Sequence, residues 1–318
     1  RHRSGRAWGC LSECGSSGPP LFQGIAQPQL RDAHDLTLGL GARGGGYHCD
    51  MPVPPPSATA RAVVTGASSG IGRELARALA ARGHSVILVA RRGDLLEELA
   101  GELRTAHEVS VEVRAVDLSD PTKVEVLAAE FAGREISILC NNAGIATFGP
   151  VADLDADYER AQVRLNVNAV HDLTLAVLPQ MVRRGSGGIL MVGSAAGNMP
   201  IPNNATYAAS KAFVNSFSES LRGEVCGQGV HVTLLAPGPV RTHTPTPDEA
   251  SIVDKVVPDF LWHSSAKVAE MSLDALAHNK MRVVPGTLSK AMSVAGGYTP
   301  RGVVAPIVGG FYRKFSAE

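Results

Sequence analysis

The 318-residue chain balances 30 Lys and Arg against 30 Asp and Glu, so no global field exists to gather nucleic acid or an anionic membrane surface. With 44% hydrophobic and 5% aromatic residues it has an ordinary globular composition that can bury a large core. Of five Cys, Cys10, Cys14 and Cys49 fall in the first fifty residues and Cys140 ends an apolar run. This argues against a disulfide scaffold and for a reducing, cytoplasmic setting, and no apolar run approaches the roughly 18 residues that span a bilayer.

Residues 1–50 hold ten Gly, no Lys and no periodic apolar pattern, which marks neither a domain nor an export signal. Met51 then opens Met51-Pro52-Val53-Pro54-Pro55-Pro56, a short run into the first strand. Met51 is read as the natural start and residues 1–58 as a leader; the alternative is a genuine disordered extension. A single catalytic domain is expected over 59–285, with a candidate lid at 243–263 and a tail at 286–318.

From Arg61 onward β-branched runs alternate with amphipathic stretches. Strands are predicted at Ala62–Thr65, Ser85–Ala90, Val109–Ala115, Ile136–Cys140, Gly188–Gly193, Val230–Ala236 and Met281–Val284. Helices are predicted at Glu74–Arg82, Asp94–Ala106, Pro121–Phe131, Tyr158–Arg184, Ala205–Cys226 and Ser264–Asn279. Several strands are apolar throughout, as parallel strands covered on both faces are. The expected fold is α/β: a single doubly wound parallel sheet of Rossmann type, with helices on both faces.

The first strand runs into Thr65-Gly66-Ala67-Ser68-Ser69-Gly70-Ile71-Gly72 and then a helix. Glycines there allow a tight turn and a close approach of backbone to a pyrophosphate, with the helix N-terminus supplying N–H groups. The second strand ends in Ala90-Arg91-Arg92. An enzyme that binds NAD would carry an acidic residue at Ala90; two guanidiniums instead suit a 2′-phosphate and favour NADPH, the bland alternative being a solvated Arg pair. No metal is called for. Farther along, Tyr207 and Lys211 stand at i and i+4, on one face of a helix, with Ser194 thirteen residues upstream of the tyrosine. An unperturbed tyrosine is too weak an acid to work efficiently at neutral pH, so a cation beside it is the expected remedy.

The Gly-x-x-x-Gly-x-Gly spacing, with the Ser194 and Tyr207-x-x-x-Lys211 constellation, resembles the short-chain dehydrogenase/reductase family over residues 61–242. That resemblance implies cofactor contacts from Thr65, Gly66, Ser68, Ser69, Gly70, Ile71, Gly72, Arg91 and Arg92. It implies adenine contacts at Asp117-Leu118, where the alternative is a helix-start residue, and sheet and cofactor support at Asn142, Ala143 and Gly144. It further implies a nicotinamide-holding loop at Pro237, Gly238, Val240 and Thr242, and a Lys211 bond to the ribose. Asn166 matches the family asparagine that organises a water to the lysine, with Asn168 as competitor. A reductase is then expected, Ser194 and Tyr207 polarising a ketone and Tyr207 donating the proton.

Finer runs resemble the mycolate-reductase branch of the family: Ile201–Tyr207, Phe217–Arg222, Val257–Trp262, Met281–Gly286 and Ser289–Ser293. They imply a hydrophobic 3-oxoacyl substrate; the alternatives are another carbonyl, such as a steroid, sugar or small ketone, and a non-catalytic dinucleotide sensor. The apolar stretch 252–262 is read as a lid or a packed helix, and Ala291–Phe315 as a packed helix, a cover on the acyl site or an inner-membrane surface contact. The long helices resemble those at the family's subunit interfaces and imply a homo-oligomer.

Overall fold

The computed structural model describes residues 53–238, 240–241 and 263–286; residues 1–52 of the leader, Thr242, residues 243–262 of the candidate lid and residues 287–318 of the tail lie outside the described residues. The strands are β1 (Arg61–Thr65), β2 (Val86–Ala90), β3 (Val111–Ala115), β4 (Ile136–Asn141), β5 (Gly187–Val192), β6 (Val230–Leu235), β7 (Val240–Arg241), β8 (His263–Ser264) and β9 (Arg282–Val283). The α-helices are α1 (Gly70–Ala81), α2 (Gly93–His107), α3 (Pro121–Ala132), α4 (Ala156–Val163), α5 (Val170–Arg184), α6 (Ala205–Glu224) and α7 (Ser265–Ala277).

Seven strands pair in the order β3-β2-β1-β4-β5-β6-β9, every pair parallel, and β7 pairs with β8 separately. Side chains alternate along each strand, so both faces need cover. Ala62, Val64, Val86 and Leu88 pack with Leu75 and Leu79 of α1, Leu96, Leu99 and Leu103 of α2 and Leu273 of α7. Val63, Ile87 and Val89 point the other way, against Val124, Leu127 and Phe131 of α3, Leu173 and Val177 of α5 and Val214 of α6. The strand order reverses between β1 and β4, the crevice at which doubly wound sheets bind ligands.

Local chemistry sets the helix ends. Asp120 caps α3, accepting from the Thr122 and Lys123 N–H groups ahead of Pro121, and Asp155 caps α4 through Tyr158 N–H. Gly185 ends α5 in the left-handed region at φ 65°. The expected unbroken helix over Tyr158–Arg184 differs in one respect: α4 and α5 are joined by a π-helical segment, Arg164–Ala169. Its physical reason is Asn166, whose fully buried amide is turned inward to bond main chain and a hydroxyl rather than solvent.

Candidate active site

The C-terminal ends of the parallel strands open on a cleft of about 490 Å³ lined by loops after β1, β2, β3, β4, β5 and β6. Of the residues singled out by sequence, Gly66, Ser68, Ser69, Gly70, Ile71, Arg91, Arg92, Asp117, Leu118, Asn142, Ala143, Gly144, Tyr207, Lys211, Pro237, Gly238 and Val240 line it.

Thr65 and Gly72 stand behind the wall. The Thr65 hydroxyl donates to Cys140 O (3.2 Å) and accepts from Asn142 N (2.9 Å) and Ala143 N (3.0 Å), tying the end of β1 to that of β4. Gly72 lets α1 close on the preceding loop, since a Cβ there would sit 2.3 Å from Gly66 O. Gly66 itself has φ 69°, and a side chain would run into Asn142 and Ala143.

The residues present fit an anionic dinucleotide. No side chain caps the N-terminus of α1, and Gly70 and Ile71 of its first turn line the cleft, which leaves N–H groups and dipole to an anion. Arg92 is braced by Ser68 Oγ (3.0 Å) and Ser69 Oγ (3.1 Å), while Arg91 is exposed beside it. Among the described residues, Asp117 is the single carboxylate in the lining. Burial pushes its carboxyl up, but the Ser119 N–H and hydroxyl and the Arg91 charge hold it below the ordinary range. Helix α3 is capped by Asp120, so Asp117 is no helix cap.

Across the β1–β4 crevice lies the second cluster. Lys211 is only 5% exposed; its Nζ donates to Val192 O (2.8 Å) and lies 5.8 Å from the centre of the Tyr207 ring. Burial brings the ammonium down to about 8. The Tyr207 phenol is pushed up by burial and pulled back by a hydrogen bond with Ser194. Ser194 is buried, and its Oγ accepts from Ala196 N at 3.1 Å. Asn166 Oδ1 accepts from Ile145 N (3.0 Å), and its Nδ2 donates to Ile145 O (2.9 Å) and Ser210 Oγ (3.1 Å). Asn166 and Lys211 flank Gly144: a methyl there would lie 3.2 Å from Asn166 Oδ1 and 3.3 Å from Lys211 Nζ. Tyr207 and Lys211 line the cleft, while Ser194, hydrogen-bonded to the Tyr207 phenol, and Asn166, beside Gly144, stand behind that wall; Asn168 is likewise outside the lining.

Sequence reasoning missed Ile145, Ala146, Leu165, Val192 and Gly193 in the lining, and Asn215, whose amide bonds the main chain of Ser194. An i+4 continuation of the Tyr207-Lys211 stripe was the signal available for Asn215. Cys140 is fully buried and its thiol is pushed up to about 12, so it is an inert core residue, as its sequence setting predicts.

The model of the short chain dehydrogenase family matches residues 60–251, and the chain belongs to that family of oxidoreductases. Sulfoacetaldehyde reductase 2 of Chromohalobacter salexigens is 40% identical over 184 residues, 57% of this chain and 72% of that protein. The human very-long-chain 3-oxoacyl-CoA reductase is 34% identical over 218 residues, 67% of this chain and 69% of that one. A solved short-chain dehydrogenase from Sphingobium yanoikuyae, in complex with NADPH, superposes with a TM-score of 0.67 at 28% identity, covering 77% of this chain and 95% of that one.

Proposed function

We propose that this oxidoreductase uses NADPH to reduce the 3-oxo group of an acyl lipid to the 3-hydroxyl. The observation that carries the reading is a single cleft lined by both Tyr207 and Lys211, with Ser194 bonded to the Tyr207 phenol, and by Arg91 and Arg92. The loop Gly66–Gly72 and the start of α1 would hold the pyrophosphate, Arg91 and Arg92 the 2′-phosphate, Asp117 and Leu118 the adenine, Asn142–Gly144 the middle of the cofactor, and Pro237, Gly238, Val240 and Thr242 the nicotinamide amide. When bound, the cofactor supplies the hydride.

The chain's own residues handle the proton. Ser194, its Oγ fixed by the Ala196 N–H, and Tyr207 offer two hydrogen bonds to a carbonyl oxygen. Burial keeps the phenol protonated until transfer, and the Ser194 hydrogen bond favours the phenolate afterwards. Lys211, with an ammonium near 8, holds a positive charge by the phenolate and is poised to hand on a proton. Asn166 secures the Ile145 backbone against α6 and takes part with solvent in returning the proton to Lys211.

Similarity to a very-long-chain 3-oxoacyl-CoA reductase supports a lipid ketone, and the mycolate-type intermediate is the form that the sequence runs favour. The second reading, a small polar carbonyl, draws on the likeness to a sulfoacetaldehyde reductase. NADPH oxidation followed with 3-oxoacyl thioesters of increasing length and with sulfoacetaldehyde separates them. The expected result is a kcat/KM that climbs with chain length; faster turnover of the small aldehyde would overturn the lipid assignment. In a deletion strain, accumulation of 3-oxo lipids supports the mycolate form and an unchanged lipid profile rejects it. The same reading has the protein cytoplasmic and homo-oligomeric, and light scattering at assay concentration tests the assembly.

A further inference from the structure

Asn215 lies on α6 four residues beyond Lys211 and eight beyond Tyr207, on the same helical face. It is 4% exposed, and its carboxamide closes on the segment that follows β5. Oδ1 accepts from Ser194 N at 3.4 Å; Nδ2 donates to Ser194 O at 3.0 Å and to Asn198 Oδ1 at 3.1 Å. One side chain thus holds both main-chain polar groups of Ser194. The approach is so close that a Cβ at Gly193 would fall 2.0 Å from Asn215 Oδ1.

The bracing continues outward. Asn198 Oδ1 also accepts from Arg282 of β9 at 3.4 Å, and Arg282 pairs at 3.0 Å with Glu219, one helical turn past Asn215. Because the Ser194 hydroxyl accepts from the N–H of Ala196, two residues on, its direction follows the local main chain rather than a rotamer set elsewhere.

We infer that Asn215 is a positioning residue for carbonyl reduction, fixing the main chain of Ser194 and hence the hydroxyl that meets Tyr207, while Asn198 and Arg282 hold the amide in its orientation. This rests on the roles given above to Ser194 and Tyr207. A residue that acts only through Ser194 loses its influence once the hydroxyl is gone, which a double-mutant cycle detects.

The experiment compares wild type with Asn215→Leu, Ser194→Ala and the double variant in the purified full chain. It reads kcat for reduction, the Kd for NADPH, and the pH profile of the reverse oxidation, in which Tyr207 acts as base. Asn215→Leu is expected to lower kcat roughly 10- to 100-fold, as displacement of a reacting group does, and to leave NADPH binding within about twofold. It should move the alkaline rise of oxidation to higher pH, in the direction of Ser194→Ala, and add nothing to that variant's loss. Additive losses, or an unmoved pH profile, would overturn the inference while the reading of the site stands. Near-normal turnover of Ser194→Ala would overturn both. Should Asn215→Leu not fold, Asn198→Ala takes its place: the same signature at smaller amplitude supports the inference, and its absence overturns it.

Discussion

Replacing Lys211 with Met should make the protein more stable at neutral pH while abolishing its turnover. The folded ammonium stands near 8 against an ordinary 10.5 because burial disfavours its charge. At 1.36 kcal/mol per tenfold change, that difference amounts to about 3 kcal/mol of destabilisation whenever both folded and unfolded states carry the proton, below about pH 8. Methionine fills similar space without the charge but gives up the 2.8 Å bond to Val192 O, which offsets about 1.5 to 2 kcal/mol, so a net gain of about 1 kcal/mol is expected at pH 7. The sign with pH follows from proton counting. Between about 8 and 10.5 the unfolded lysine holds its proton and the folded one has released it, so wild type gains stability as pH rises and the variant does not. Urea unfolding at pH 7, 8.5 and 10 should show the Met variant's advantage shrink and then reverse, by about 3 kcal/mol in all. A difference that stays constant with pH would refute the attribution to buried charge.

Tyr207→Phe should lower kcat by orders of magnitude while NADPH, titrated by its fluorescence, binds with nearly unchanged affinity; near-normal turnover would sink the proton-donor role. Arg92→Ala removes a guanidinium braced on Ser68 and Ser69, and the KM for NADPH should rise about 10- to 100-fold with little change for NADH, the loss expected of charge-assisted bonds to a phosphate. In Thr65→Val the Ala143 N–H loses its 3.0 Å acceptor and the Asn142 N–H one of two. That should cost about 2 kcal/mol and lower Tm by about 4–8 °C, with kcat falling less than in any variant of Ser194 or Tyr207.

The sheet was legible in the sequence because buried parallel strands spell themselves as apolar runs, and Val86–Ala90 could be little else. The glycine turn that lines the cleft was legible because, although glycines also mark ordinary turns, here they fall between a strand and a helix start. Asn166 and its neighbours looked like continuous helix, since 3.6-residue periodicity barely registers a local widening of the turn. The π segment depends on where Ile145 and Ser210 fall in three dimensions, and no spacing along the chain encodes that. Thr65 was grouped with the cofactor contacts by its place in the loop, although its hydroxyl faces β4 from within the wall. Asn215 escaped notice because an amide in a helix is usually solvated; its i+4 place after Lys211 was the sequence signal, and the close approach of Gly193 shows that its amide is turned inward.

The π segment between α4 and α5 acts as a phase shifter. A turn five residues wide slips the helical face by most of one residue's rotation, about 100° in an α-helix. The stretch 156–163 can therefore present Gln162 inward while α5 keeps Leu173, Val177 and Met181 on the sheet. A one-residue deletion within 164–169 would tidy the hydrogen bonding and yet swing everything before it to the wrong side. Length in this segment is thus under tighter constraint than identity, and a descendant could exchange most of its side chains more safely than it could drop one residue.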